Sequence, residues 1–217
     1  MMERMFSEKK RGSSVRRQKP LLLLITEGKN VTEKQYFKQF QKQQSSYNIR
    51  ILTPGSATDP EKMWKTLERH WKEYDLSYDR GDRGCVVLDL DCNEGKARLI
   101  KELEMESKIA KFIVSNPCFE IWFLLHFRYS THSFSDGKEL IKELRKLIPG
   151  YEKNLEVAGI LSDKLETAMA NAQKLTDYYT EMGCQWPSVD CNPRTDVPEV
   201  IAEIKWMESG MDKNIIR

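Results

Sequence analysis

Three short apolar runs, residues 21–25, 85–88 and 112–114, each give way to carboxylates or to a polar turn that leads to one. The sequences at these ends are Glu27-Gly28, Asp89-Leu90-Asp91 and Ser115-Asn116-Pro117-Cys118-Phe119-Glu120. Short runs with no polar alternation are strands buried on both faces, as in parallel sheets. Acids at the ends of such strands are costly unless they hold a cation or move protons. Open α/β sheets bind ligands beyond the carboxyl ends of their strands, so three such ends converge on one crevice. The pattern is that of a metal-dependent phosphoryl-transfer site.

The rest of the chain supports the same architecture. Residues 21–26 read as a buried strand. Thr32 and Gln35 form a capping box for a helix that runs to about residue 44 and turns Tyr36, Phe37 and Phe40 inward. Residues 48–53 are a second strand. Asp59-Pro60 starts a helix on which Met63, Trp64, Leu67, His70, Trp71 and Tyr74 recur at helical spacing. A loop over 79–84, a strand over 85–90, a polar helix over 96–107 and a strand over 110–115 follow. This alternation predicts an α/β fold with a parallel sheet and right-handed crossovers.

Residues 121–127 are apolar nearly all round, so that helix lies between the sheet and another layer. The C-terminal third supplies the layer, with amphipathic helices over 138–148, 163–179 and 198–208. The expected organisation is a basic, disordered leader over 1–19, an α/β domain over 20–130, and a helical region over 131–217 packed on it.

Charge is unevenly placed. Residues 1–20 carry seven Lys or Arg against Glu3 and Glu8, a net +5, which leaves −3 for the remainder of a chain at +2. Such a leader reads as a solvated tail or as a phosphate-seeking arm for nucleic acid, and both readings stay open. A body at −3 offers no broad basic face, so nucleic-acid contacts there are local. No run approaches the roughly 18 apolar residues of a membrane span, which points to a cytoplasmic protein. The five cysteines (Cys85, Cys92, Cys118, Cys184, Cys191) show no zinc spacing and read as free thiols, with Cys85 and Cys118 in the core.

Asp89 and Asp91, two apart on a strand, project to one side. With Glu27 at a neighbouring strand end, three carboxylates crowd one crevice, and a divalent ion or shared proton relieves them. Mg²⁺ or Mn²⁺ suits such an oxygen-rich set. Glu33 and Glu120, each in a first helical turn, complement the helix dipole or join the ion site. Lys29 is a phosphate contact or a solvated loop residue. His126 is structural or an acid–base group. No G-x-S-x-G elbow and no glycine-rich phosphate loop occurs.

The chain resembles the RloB-like family along about residues 11–204. The resemblance rests on Arg11-Gly12-Ser13, Glu27-Gly28, Thr32-Glu33 and Tyr36-Phe37, then Asp89-x-Asp91 and the block at 115–127. Tyr151-Glu152-Lys153 and Asn192-Pro193-Arg194-Thr195 complete it. It implies a Toprim-like sheet flanked by helices, with Glu27 ending the first strand and Asp89 and Asp91 the third. It also implies Mg²⁺- or Mn²⁺-dependent nuclease chemistry on DNA or RNA, tRNA included, and a role in restriction and abortive phage defence beside an ATPase partner.

On that reading Asp89 and Asp91 ligate the ion, and Glu27 completes the shell or takes the proton of the attacking water. Glu120 and Glu33 hold a second ion, and Lys29, Lys153 and Arg194 hold phosphates. The rivals are a non-catalytic Toprim-like module that binds nucleic acid or regulates the ATPase, and a D-x-D glycosyltransferase that leaves Glu27 and Glu120 unexplained. Other Toprim activities, topoisomerase or primase, need modules for which 217 residues leave little room. Oligomeric state stays open, since the aromatic helix over 63–74 suits an interface as well as a core.

Overall fold

The computed structural model describes residues 19–27, 32–42, 46–55, 59–106, 109–153 and 155–210. The leader over 1–18, Lys29 and the last seven residues lie outside them. Five strands form one sheet in the order β2-β1-β3-β4-β5. They are β1 (Leu21–Thr26), β2 (Asn48–Leu52), β3 (Arg83–Asp89), β4 (Lys111–Asn116) and β5 (Arg194–Thr195). The first four are parallel, and β5 runs antiparallel to β4. The fold is α/β, a mostly parallel sheet flanked by helices.

The crossover helices α1 (Thr32–Lys38), α2 (Pro60–Glu73) and α3 (Glu94–Glu106) divide between the two faces. On one face Met63, Trp64, Leu67 and Trp71 of α2 and Ala97, Ile100 and Leu103 of α3 cover Leu23, Ile25, Val86, Leu88, Phe112 and Val114. The sheet thus absorbs the aromatic face of α2. On the other face Tyr36 and Phe37 of α1 meet Leu22, Leu24, Cys85, Val87 and Ile113, together with the buried helix α4 (Glu120–Leu125). From β1 the chain passes to β2 on one side, then returns across β1 to β3 on the other. The β1–β3 crevice is therefore the point where strand order reverses, the usual ligand position in such sheets.

Alpha helices α5 (Gly137–Leu144), α6 (Ala158–Leu161), α7 (Leu165–Glu181) and α8 (Val197–Glu208) finish the second face. Leu140, Leu144, Ala168, Ala172, Leu175, Val200, Ile201 and Ile204 share one buried cluster with β1, β3 and β4. Asp59 caps α2, its side chain accepting from Lys62 N–H at 3.0 Å. Gly84 on β3 allows α2 to approach. A Cβ there would meet Trp71 Cζ3 at 3.2 Å, Leu67 Cδ2 at 3.3 Å and the Ile109 carbonyl at 3.2 Å. Gly84→Ala should therefore cost about 1–3 kcal/mol, the usual range for overpacking, measured by denaturant unfolding.

Four local expectations are corrected. The first helix ends at Lys38 rather than near residue 44. Thr32 forms no capping box, because it is the first residue of α1 and Gln35 Oε1 has no hydrogen-bond partner among the described residues; the Thr32 hydroxyl instead donates to the Lys153 carbonyl and ties α1 to the C-terminal region. The third strand ends at Asp89, and its chain reverses through Asp91 and Cys92 at φ 54° and 52°. The cysteines are not all free. Cys184 and Cys191 are disulfide-bonded, because the loop between them folds back until their Cα atoms are 6.5 Å apart.

The fifth strand has no counterpart in the sequence reading. It anchors the strand that leads to Glu120. Ser115 Oγ and Thr195 Oγ1 lie 2.8 Å apart, and Asn116 Nδ2 donates to the Cys191 carbonyl at 3.1 Å. Asn192 grips Phe134 by both main-chain groups. Among the described residues no helix is long and apolar enough to cross a membrane.

Candidate metal centre

Parallel strands put their carboxyl ends on one edge, and the acids gather there. Thr26 pairs with Val87, and Asp89 with Ser115, so Glu27, Asp89 and the turn to Glu120 follow neighbouring strands. Glu33 enters from the first turn of α1. Glu27, Glu33, Asp89 and Glu120 are all buried, with Glu33 and Glu120 each 1% exposed. A helix dipole is worth about 0.3–1 kcal/mol to a first-turn acid, far less than burying an unpaired carboxylate costs, so the dipole alone does not account for Glu33 and Glu120.

Asp89, Glu27 and Glu120 each have a defined support. Asp89 Oδ1 accepts the Phe119 N–H at 2.7 Å. Glu27 Oε1 accepts the Asp89 N–H at 3.4 Å and Lys96 Nζ at 3.0 Å. Glu120 Oε1 accepts the Tyr151 hydroxyl at 3.2 Å, and Lys153 Nζ stands 3.8 Å away. The second oxygens of Glu33 and Glu120 are buried and have no hydrogen-bond partner among the described residues. Ligand atoms of Asp89, Cys118 and Glu120 lie within 4.8 Å of one another, a group that can hold a metal ion.

The electrostatics reflect crowding. Burial, followed by Glu33, Glu120, Glu27 and Asp91, pushes the Asp89 carboxyl well above its usual range. Burial, then repulsion from Glu120 and Glu27, lifts Glu33 to about 8. Burial also raises Glu27, against the opposing pull of Lys96. The Cys118 thiol is driven far up by burial, Glu120 and Asp89, so it stays a neutral, weak ligand. Burial and Glu120 keep Tyr151 protonated as a donor. For Lys153 burial lowers the pKa, but Glu120, Cys118, Asp89 and Glu33 outweigh it and hold the ammonium charged.

Asp91 departs from its expected place. It lies beyond the strand in a left-handed turn, so strand alternation does not aim it alongside Asp89, and its side chain is 63% exposed. It still reaches the group through Lys96, whose Nζ is 3.1 Å from Asp91 Oδ2. Arg194 sits over the Trp186 ring at 4.7 Å, and no contact with the acids is found for it among the described residues. His126 is buried with Nδ1 2.8 Å from the Trp122 carbonyl. Burial lowers its pKa to about 4, which leaves it neutral and structural.

Three residues escaped the sequence reading. Lys96 looked like one more polar position on an amphipathic helix, yet it lies between Glu27, Asp91 and the Asp89 carbonyl. Tyr151 entered only as part of a short motif. Cys118 counted as core, which its burial matches, but it also faces Asp89 and Glu120. Only the pairing of Asn93 with Lys96 at a helix start hinted that Lys96 was positioned: Asn93 Oδ1 accepts the Lys96 N–H at 3.0 Å.

Compared with known families, residues 22–204 match the model of RloB-like protein. The chain belongs to the RloB-like family. Neither the curated proteins nor the solved structures offered a match. The matched span runs from β1 into α8, so it takes in every described acid of the centre together with Tyr151 and Lys153. The segment 115–127, which lies within that span, comprises the end of β4, the turn that receives Asp89, and the buried helix α4.

Proposed function

We propose that this RloB-like chain is a metal-dependent hydrolase of nucleic-acid phosphodiester bonds. The observation that carries the reading is the set of buried carboxylates gathered at neighbouring strand ends and the first turn of α1, two of whose oxygens have no hydrogen-bond partner among the described residues. Buried unpaired charge is expensive, and an arrangement of this kind persists where a cation completes it. The donor set fits Mg²⁺ or Mn²⁺, being oxygen-rich and flanked by a thiol that stays neutral. Glu27, Glu33, Asp89, Asp91 and Glu120 are the acids available to hold it. When bound, such an ion polarises a phosphoryl oxygen and lowers the pKa of water.

The chain's own groups supply the remainder. Glu33, buried with an Oε2 that has no hydrogen-bond partner among the described residues, offers the ion an oxygen donor. It suits that task better than Glu27, whose Oε1 is engaged by Lys96. Lys153, charged and half-buried, offers a phosphate a positive group beside Glu120. Tyr151 orients the Glu120 carboxylate. Removing that donor should lower metal-dependent turnover. Tyr151→Phe is expected to lose about tenfold or more, as outer-shell partners of metal ligands do, with the fold retained by circular dichroism.

A non-catalytic scaffold would account for Lys96 as a structural ion-pair centre, but it leaves the free oxygens of Glu33 and Glu120 without a purpose. Participation in phage defence and cooperation with an ATPase belong to the same proposal. The test incubates the purified chain with plasmid DNA and with total tRNA, in Mg²⁺, Mn²⁺ or EDTA, beside Glu120→Gln. Cleavage that needs the metal and is lost in the variant supports the hydrolase and names its substrate class. Cleavage undiminished by Glu120→Gln or by EDTA rejects it.

A further inference from the structure

We propose that Lys96 takes the place of one of two cations, so that the centre accepts a single divalent ion, seated among Asp89, Glu120 and Glu33. The proposal rests on reading the acids as a cation site, and it reassigns where in that site the ion goes.

An ammonium group has three donors. Those of Lys96 are matched by Glu27 Oε1 at 3.0 Å, Asp91 Oδ2 at 3.1 Å and the Asp89 carbonyl. The side chain is 10% exposed, and its backbone is fixed at the start of α3 by Asn93. The Glu27–Asp91 corner is thus already compensated. A divalent ion placed there would stand against a buried like charge that already engages Glu27 Oε1, Asp91 Oδ2 and the Asp89 carbonyl.

The opposite corner lacks such compensation. Glu33 Oε2 and Glu120 Oε2 have no hydrogen-bond partner among the described residues. Lys153 lies 3.8 Å from Glu120 Oε1, close enough to be felt but too far for a hydrogen bond. Asp89 and Glu120 belong to the one group whose ligand atoms fall within 4.8 Å among the described residues. Five carboxylates facing two ammonium groups leave a deficit that one divalent ion largely offsets. Lys96 is a positioning residue in this scheme. It fixes Glu27 and Asp91, and its charge stands in for a second ion.

Mn²⁺ titration of the intact chain, followed by electron paramagnetic resonance of free Mn²⁺, counts the sites. One ion per chain is expected. Glu120→Gln should weaken its affinity about tenfold or more. Asp91→Asn, at a largely exposed side chain, should change it by no more than about threefold. Lys96→Met should bind a second ion in the vacated corner. The Asp91 and Glu120 pair decides the matter even if Lys96→Met does not fold. Two ions in the wild type, or an Asp91→Asn loss equal to that of Glu120→Gln, overturns the role of Lys96 and leaves the cation site standing. No binding at all removes both.

Discussion

Asp89→Asn is expected to abolish metal-dependent cleavage and, in the same protein without metal, to raise the unfolding temperature. The two effects have one cause. Asp89 is buried among Glu27, Glu33 and Glu120, and burial with their repulsion pushes its carboxyl far above the usual range. An amide keeps an oxygen to accept the Phe119 N–H, the bond now made at 2.7 Å, and removes the charge. Loss of a carboxylate that anchors the reacting site should lower turnover by about two to three orders of magnitude. Relief of repulsion should add about 1–2 kcal/mol to stability, or a few degrees at this chain length. An Asp89→Asn protein that is both inactive and less stable would show a structural role instead.

Stability of the metal-free protein should fall as pH rises from about 4.5 toward 8. Glu33 carries the sign. Its folded pKa, raised to about 8 by burial and then by Glu120 and Glu27, exceeds its value in the unfolded chain. A group of that kind favours folding below the unfolded pKa, and the contribution disappears as pH climbs through the folded pKa. Asp89, also raised, works in the same direction. The loss across the window should be a few kcal/mol. Glu33→Gln, which cannot ionise, should flatten the profile and make the variant more stable than the wild type at pH 8–9. Denaturant unfolding at a series of pH values measures both. A wild type that gains stability over that window would contradict the burial of uncompensated acids.

The parallel strands were legible because a strand covered on both faces has no polar positions. Residues 21–26 and 111–116 accordingly stood out within a residue of their ends. The acids were legible for the reciprocal reason, since Glu27 and Asp89 interrupt that pattern at its ends. What escaped depends on distant partners. Lys96 sits on a helix whose pattern gives a lysine no special meaning, and its contacts come from the ends of β1 and β3. Strand β5 is two residues long, too short for any periodicity, and exists because Ser115 and Asn116 receive it. Thr32 had the residue type of a cap, but it is the first residue of α1, and its hydroxyl donates to the Lys153 carbonyl. Asp91 was read by strand alternation, which ended at Asp89 when the backbone turned left-handed.

The most direct test of the central claim is the unfolding temperature of the intact chain at pH 8 during a Mn²⁺ titration, with Glu120→Gln alongside. A ligand that binds only the folded state stabilises it in proportion to the logarithm of its concentration above Kd. A steady rise in the wild type, absent from Glu120→Gln, is the predicted result. An unchanged unfolding temperature in the wild type, or an equal rise in the variant, would contradict the account.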